Sequence, residues 1–526
     1  MTTRTLTLTA LALGLTFAIT GCNEDDRIED LFEPGDTVAL TVDNRLITFD
    51  RARADIIATD VPITGLASGE TLIGIDYRTR NGLLYGLTRN AVYQLSLRGV
   101  ASNRRALSTP LTGTDFGVDF NPVADLLRVI SNGDTSQVVN VDTGSVSNSP
   151  TINETGTGTR NMNAAAYTNA FARPVSTTLY ALDTFNDRLV VQNASTSTLS
   201  NPVSLGLDAD SVSGFDIDGS NNIGYAALQV AGVTSLFRID LTATTNAATR
   251  IAKLGSGSRP LKGLALMPRD AMAYGLVVGS NSLVVFDPAS PAQILDTLSV
   301  SGLTSGEILV GIDFRPADGR LYGLTSQNRL YRLGTDTGSA TLVSSLSGAS
   351  LSGTRFSVDF NPAADRLRVI SSTGQNLRIN VDTGATTIDT PINRSDTPAL
   401  PTPQLVAAAY TNSIRPAPAS TTLYHVDRSE NRLTRSPNPN AGQVAREGVL
   451  TDPALGTTPG FDIAGGANGL PLIMATTSGQ GSRLFSVKLV TDAVSASGTL
   501  TAYPGTSNRV GGTSGPQLSD IAITFE

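Results

Sequence analysis

LIGIDYRTRNGLLYGLT at residues 72–88 returns as LVGIDFRPADGRLYGLT at 309–325. GVDFNPVADLLRVIS (117–131) returns as SVDFNPAADRLRVIS (357–371). NVDTG stands at 140 and 380, AAAYTN at 164 and 407, TTLY at 177 and 421, and GFDI at 214 and 460. The order is the same in both halves and the spacing grows only slowly, which is the mark of one tandem duplication with small loop insertions.

Each half carries a finer period. Ten segments share a small or polar residue, an apolar one, Asp or Ala, and then an aromatic or aliphatic residue, as in Gly74-Ile75-Asp76-Tyr77 and Ala164-Ala165-Ala166-Tyr167. The third position runs Asp76, Asp119, Ala166, Asp216, Ala265 in the first half and Asp313, Asp359, Ala409, Asp462, Ala522 in the second. A second strand is expected at a fixed distance beyond: Asp76 to Tyr85, Asp119 to Arg128, Asp216 to Tyr225, Ala265 to Tyr274, Asp313 to Tyr322 and Asp359 to Arg368 are each nine residues apart. The intervening Asn81-Gly82, Asn121-Pro122, Asp218-Gly219 and Asp318-Gly319 supply hairpin chemistry. Alternating runs such as Ala91–Leu95 and Leu330–Leu333 read as further half-buried strands, and nothing in the body sustains a helical period.

Units of roughly 43 to 60 residues with about four strands each match propeller blades. The expected fold is therefore all-β: two tandem five-bladed β-propellers with four-stranded blades, a C-terminal strand closing a ring. The body opens on outer strands at Thr37–Leu40 and ends on a lone inner strand, Leu518–Phe525, so a blade is split between the ends of an array. Two five-bladed rings would close with Leu261–Met267 and Leu518–Phe525. The alternative, one ten-bladed ring, would close Leu518–Phe525 onto Thr37–Leu40. The expected division is 1–21 signal peptide, 22–36 lipidated Cys and acidic tether, 37–268 first propeller repeat and 269–526 second propeller repeat.

The GIDYR…LYGLT and VDFNP…LRVIS segments resemble the domain of unknown function numbered 4394, found in bacterial secreted proteins. The resemblance covers nearly all of 37–526, once per half. It implies a propeller-like fold and brings no activity.

The N-terminus reads as an address. Arg4 precedes an apolar run, Leu6–Ile19, of signal-peptide length and too short to span a bilayer comfortably. It ends in Ile19-Thr20-Gly21-Cys22, which resembles the bacterial lipobox and implies cleavage before Cys22 and its lipidation, with stable anchoring by several acyl chains. Asn23 follows Cys22, which points to the outer membrane of the bacterial cell envelope. The acidic stretch 23–36 reads as a solvated tether.

Composition excludes several functions. Net charge is -8 and no basic stripe is present, which argues against nucleic acid. One Cys excludes an internal disulfide framework or a Cys-based zinc cage, and one His, His425, excludes a His-cluster metal site. The absence of Trp and an aromatic content of 5% weaken a sugar-processing reading. His425 stands where the first copy has Ala181, which argues against a shared catalytic role, and no nucleophile elbow is present. No catalytic residue is assigned.

Two sets of acidic positions merit structural inspection. Asp76, Asp119, Asp216, Asp313, Asp359 and Asp462 are candidates to line a central channel. There they would either hold a hard cation through oxygen ligands or accept hydrogen bonds from neighbouring backbone. Asp216, Asp218, Ser220 and Asn222 carry oxygen side chains at the first positions of a calcium loop but lack its downstream Glu, and an Asx/Gly turn is the alternative. No cofactor is assigned from these residues; Ca2+ is the candidate they could hold. Arg128 and Arg368 are expected to pair across the hairpin with Asp119 and Asp359, the alternative being a pair of ligand-facing arginines, and Asp125 and Asp365 to form turns. The functional expectation is an envelope-anchored lipoprotein acting as a non-enzymatic binding or scaffold propeller, with the membrane and an envelope protein as partners. The alternatives are a carboxylate- or calcium-dependent hydrolase and a purely structural lipoprotein.

Overall fold

A computed structural model describes residues 34–155, 158–394, 402–450, 460–466, 469–476, 481–489, 500–505 and 507–526. The signal peptide, Cys22 and the tether up to residue 33 lie outside the described residues. Regular structure among the described residues is β-strand, with three short 3-10 turns. No helix among them is long and apolar enough to cross a membrane.

The strands form ten antiparallel sheets of four strands, one of which gains a fifth, Asn393–Arg394, parallel to Gln443–Val449. Every sheet takes its strands from one side of residues 267–270. Burial grades across each sheet. Gly74–Arg78 is buried at all five residues, whereas Ala101–Ala106 at the far edge of the same sheet is exposed beyond its first residue. Glycine, alanine and short apolar residues dominate the buried edge because side chains there meet neighbouring backbone.

The buried-edge strands pack side by side in cyclic order. In the first half the order is Gly74–Arg78, Phe116–Asn121, Met162–Tyr167, Ser211–Ile217, Leu261–Leu266 and back to Gly74–Arg78. In the second half it is Leu309–Arg315, Phe356–Asn361, Leu405–Tyr410, Gly460–Ala464, Leu518–Phe525 and back to Leu309–Arg315.

The strands at the ends of each half decide the pairing. Thr37–Thr41 pairs with Leu261–Leu266, Val38 opposite Ala265, and Leu518–Phe525 pairs with Ala271–Val277, Ala522 opposite Tyr274. The pairing of Leu518–Phe525 with Thr37–Leu40 that a single ten-bladed ring requires does not form. One expected hairpin fails for the same reason. Ala265 and Tyr274 are nine residues apart but belong to different sheets, because the chain crosses between halves there. The other five nine-residue pairs stand directly opposite each other.

The tether ends sooner than its acidity suggests. Asp36 is docked, its Oδ1 accepting from the Arg51 backbone N–H at 3.0 Å and its Oδ2 from Arg51 Nε at 2.9 Å.

Gly117 sits where adjacent buried-edge strands approach closely, and a Cβ there would lie 2.8 Å from the Ala164 backbone. Backbone cannot swing aside, so Gly117→Val should destabilise by about 3 kcal/mol, whereas Gly158→Ala, in open space, should be near neutral. Urea unfolding measures both, and an unchanged midpoint for Gly117→Val would disprove the close packing.

Candidate functional site

In the register Asp76 stands opposite Tyr85, so both side chains leave the same face of their sheet, towards the next. There they grip one residue. Asp76 Oδ2 accepts the Phe120 backbone N–H at 2.6 Å, and the Tyr85 ring meets the Phe120 ring edge-on at 5.5 Å. The second copy repeats the arrangement: Asp313 takes the Phe360 N–H at 2.6 Å and Tyr322 packs edge-on against its ring at 5.6 Å.

Where the opposite residue is arginine the grip has the same form. Asp119 accepts the Tyr167 N–H at 3.1 Å while Arg128 Nε donates to the Tyr167 hydroxyl at 3.3 Å. Asp359 accepts from Tyr410 N–H at 3.0 Å and Arg368 Nε donates to the Tyr410 hydroxyl at 3.2 Å. The expected cross-strand ion pairs therefore do not form. The short carboxylate is held by backbone amide, and the longer guanidinium reaches past it to Ser136, Ser149 and the Ala194 carbonyl, or to Asn376, Asp389 and Asn440 in the second copy. Asp216 completes the first set by accepting from Leu266 N–H at 2.7 Å, and Asp462 the second by accepting from Ile523 N–H at 2.5 Å.

These six acids converge as two triads. Asp76, Asp119 and Asp216 each bring a carboxylate oxygen within 4.8 Å of the others, and so do Asp313, Asp359 and Asp462. All six are buried. Each triad is a set of hard oxygens that could hold a divalent cation such as Ca2+. Burial raises Asp76 and Asp119 well above the ordinary carboxylate range, reinforced by charge from the other triad members. Asp216 is pushed up to about 7 by burial against the opposing pull of the Leu266 and Ile217 amides and of Arg51. The second triad behaves alike: Asp313 and Asp359 are raised by burial and by neighbouring carboxylates, and burial pushes Asp462 to about 7. Three buried like charges this close cannot ionise together without a counter-ion.

The second copy adds an acid that its third-position pattern does not contain. Asp520 occupies the place of Gly263, takes the Ile312 N–H at 2.9 Å, and is pushed up to about 8 by burial.

The residues with calcium-loop spacing are divided among other tasks. Asp216 belongs to the triad. Asp218 accepts from the Ser220 N–H and hydroxyl, an Asx turn, and forms a buried ion pair with Arg51 at 2.8 Å. Asn222 exchanges hydrogen bonds with Asn169 and donates to the Gly466 carbonyl in the second half. In the second copy, the stretch aligned with this one runs on to residues 467–468, which lie outside the described residues. His425 is fully buried, its Nε2 2.9 Å from Ser436 Oγ, and burial pushes it down to about 3, so it is neutral.

Sequence reasoning passed over two networks. Arg78 holds Asp125 and Asp142, both bidentately, at 2.6–2.8 Å, and Arg315 holds Asp365 and Asp382 in the same way at 2.6–2.9 Å. Asp125 and Asp365 do take turn conformations, at φ of 55° and 50°, but they also clamp neighbouring sheets. The signal was available, since both ends of each network lie in the repeated GIDYR/GIDFR, VDFNP and NVDTG segments. Arg51 lies outside these repeated segments and gave no such signal.

The family model for a domain of unknown function, DUF4394, matches residues 45–265 and again 282–510. The chain belongs to this family and carries two tandem copies of its domain. No curated protein matches it. Among solved structures it is similar to one described as the Dos1 propeller, at 13% identity over 64% of this chain and 90% of that one, with a TM-score of 0.24.

The raised carboxylates set the sign of a pH dependence. Asp216 and Asp462, at about 7 in the fold against an ordinary 3.8, hold protons that the unfolded chain has lost, and Asp520 does so up to about 8. Their stabilisation is complete below about pH 4 and is lost as pH rises through 7 to 8. Unfolding free energy should fall by about 2 kcal/mol or more between pH 5 and pH 8 in chelator. Asp119→Asn, whose amide carbonyl can still accept from Tyr167, should flatten that slope. A profile that rises over this range would show that the triads are ionised in the fold.

Proposed function

We propose that the chain is a pair of five-bladed β-propellers, tethered through a lipidated Cys22 to the bacterial outer membrane, that works as a non-enzymatic binding or scaffold module. The cyclic packing of buried-edge strands within each half, and the pairing of each half's end strands within that half, support the ring reading. The lipobox resemblance and the lone Cys support the tether.

One observation carries the non-enzymatic reading: the acids shared by both copies are occupied with holding neighbouring strands. Every one of the six accepts a backbone N–H from the next strand in its cycle. A general acid or nucleophile must face substrate, and these face backbone amides. What remains for function is the loops at the ends of the strands, displayed on a rigid frame.

Cross-linking pull-down of the tagged full chain from intact cells tests this, beside a Cys22→Ala control. A stoichiometric protein partner seen with the native chain and lost in Cys22→Ala is expected. The same partner yield in both forms would remove the tether from the proposal.

A second reading, cation storage within the triads, is favoured by their mutual oxygen distances. Calcium at pH 8 should then raise the melting temperature by several degrees over chelator, because a ligand that binds only the fold stabilises it. An equal melting temperature would dismiss that reading.

A further inference from the structure

The two halves meet through residues at and beyond the ends of their strands. Phe171 packs against Phe525 with rings tilted by 45° and centroids 5.0 Å apart, Asn222 donates to the Gly466 carbonyl, and the Tyr503 hydroxyl donates to the Ala172 carbonyl. Each triad thus has one end turned towards the other half, but the two ends differ. In the first half the space beside Asp76, Asp119 and Asp216 is about 20 Å³, bordered by Ala170, whose backbone lies against Gly219. In the second half a cavity of about 220 Å³ remains, covered from the first half by Ser220 and Asn221.

That cavity has a distinct chemistry. Asp313 lies at its floor, Phe314, Ile414 and Phe525 give it apolar wall, and Arg269 and Arg415 stand at its rim. Arg269 comes from the segment joining the halves. The Arg415 guanidinium rests against Gly319, where a Cβ would lie 3.1 Å from its Nη2. Arg315 also lines the cavity but is neutralised by Asp365 and Asp382. Among the described residues, neither Arg269 nor Arg415 makes an ion pair, and both are exposed.

We propose that this cavity binds a small carboxylate with an apolar body, its charge held by Arg269 and Arg415 and its body against Phe314, Ile414 and Phe525. Clefts between domains with an apolar wall and a few fixed polar groups are the usual form of small-ligand sites. Guanidinium forks match a carboxylate in shape as well as charge. Asp313 at the floor is engaged by backbone, its two oxygens accepting from the Phe314 and Phe360 N–H groups at 2.7 and 2.6 Å. The proposal deepens the binding reading and rests on it only in that the site is a binding site; it needs neither the lipid tether nor a protein partner.

Isothermal titration of the full chain with benzoate tests it, inorganic phosphate serving as the second arm. Saturable benzoate binding, weaker phosphate binding, and a loss of about tenfold or more in benzoate affinity in both Arg269→Ala and Arg415→Ala are expected. Both arginines are exposed, so the variants should keep the native melting temperature, and Arg415→Lys should retain part of the affinity. No saturable benzoate binding at about 10 mM would overturn the proposal, as would affinity unchanged in both alanine variants or phosphate binding tighter than benzoate. The pull-down above reads protein partners, so either experiment can fail without the other.

Discussion

The fold depends on one repeated contact, a carboxylate on one buried-edge strand accepting the backbone N–H of the next. These strands belong to different sheets, so the hydrogen-bond ladders that join strands within a sheet do not join them to each other. A buried amide without an acceptor costs about 1–3 kcal/mol, and at each such junction the third-position Asp supplies one. At four of the six it also supplies orientation, because the residue opposite it across the hairpin takes hold of the same neighbour's side chain. Asp76 and Tyr85 fix Phe120 at amide and ring; Asp119 and Arg128 fix Tyr167 at amide and hydroxyl. Two points of attachment set both the separation and the rotation of adjacent sheets.

That solution brings a conflict. Acids that face the next strand from neighbouring positions also face one another, and each half brings three together within 4.8 Å. Amide donors favour the charged form, while burial and mutual repulsion favour the neutral one. For Asp216 burial outweighs two amides and a nearby Arg51, leaving it at about 7. The two alanine positions in each half belong to the same balance: five carboxylates at this spacing would add further repulsion. At those junctions Ala166 and Ala265 leave the contact to small apolar packing.

Much of this was legible in the sequence because duplication prints each contact twice. The order of strands, the hairpins and the acid positions follow from GIDYR, VDFNP and their copies. The direction of the side chains did not follow. Opposite placement of Asp119 and Arg128 suggested an ion pair, since spacing gives register but not which neighbour a long side chain prefers. The Ala265–Tyr274 spacing misled in a related way: the nine-residue interval persists where the chain leaves one half for the other, although the strands part. Arg51 was illegible because its partners, Asp36 and Asp218, are set by how the halves fold and by no repeated motif.

The copies diverge where the neighbouring-strand contact is untouched. Ser149, which accepts from Arg128, is replaced by Asp389, which forms an ion pair with Arg368 at 2.6 Å. Ala181 is replaced by a neutral His425 bonded to Ser436, and Gly263 by Asp520, which finds the Ile312 amide. Asp389 and Asp520 land beside partners that satisfy them, whereas His425 is bonded only through Nε2 and its buried Nδ1 has no partner. The loops between the halves have no such common frame. Ala170 fills one strand end, whereas Ser413 in the matching loop borders the open cavity of the other. A duplicated scaffold can therefore keep its inner contacts fixed while its two facing ends become chemically unlike.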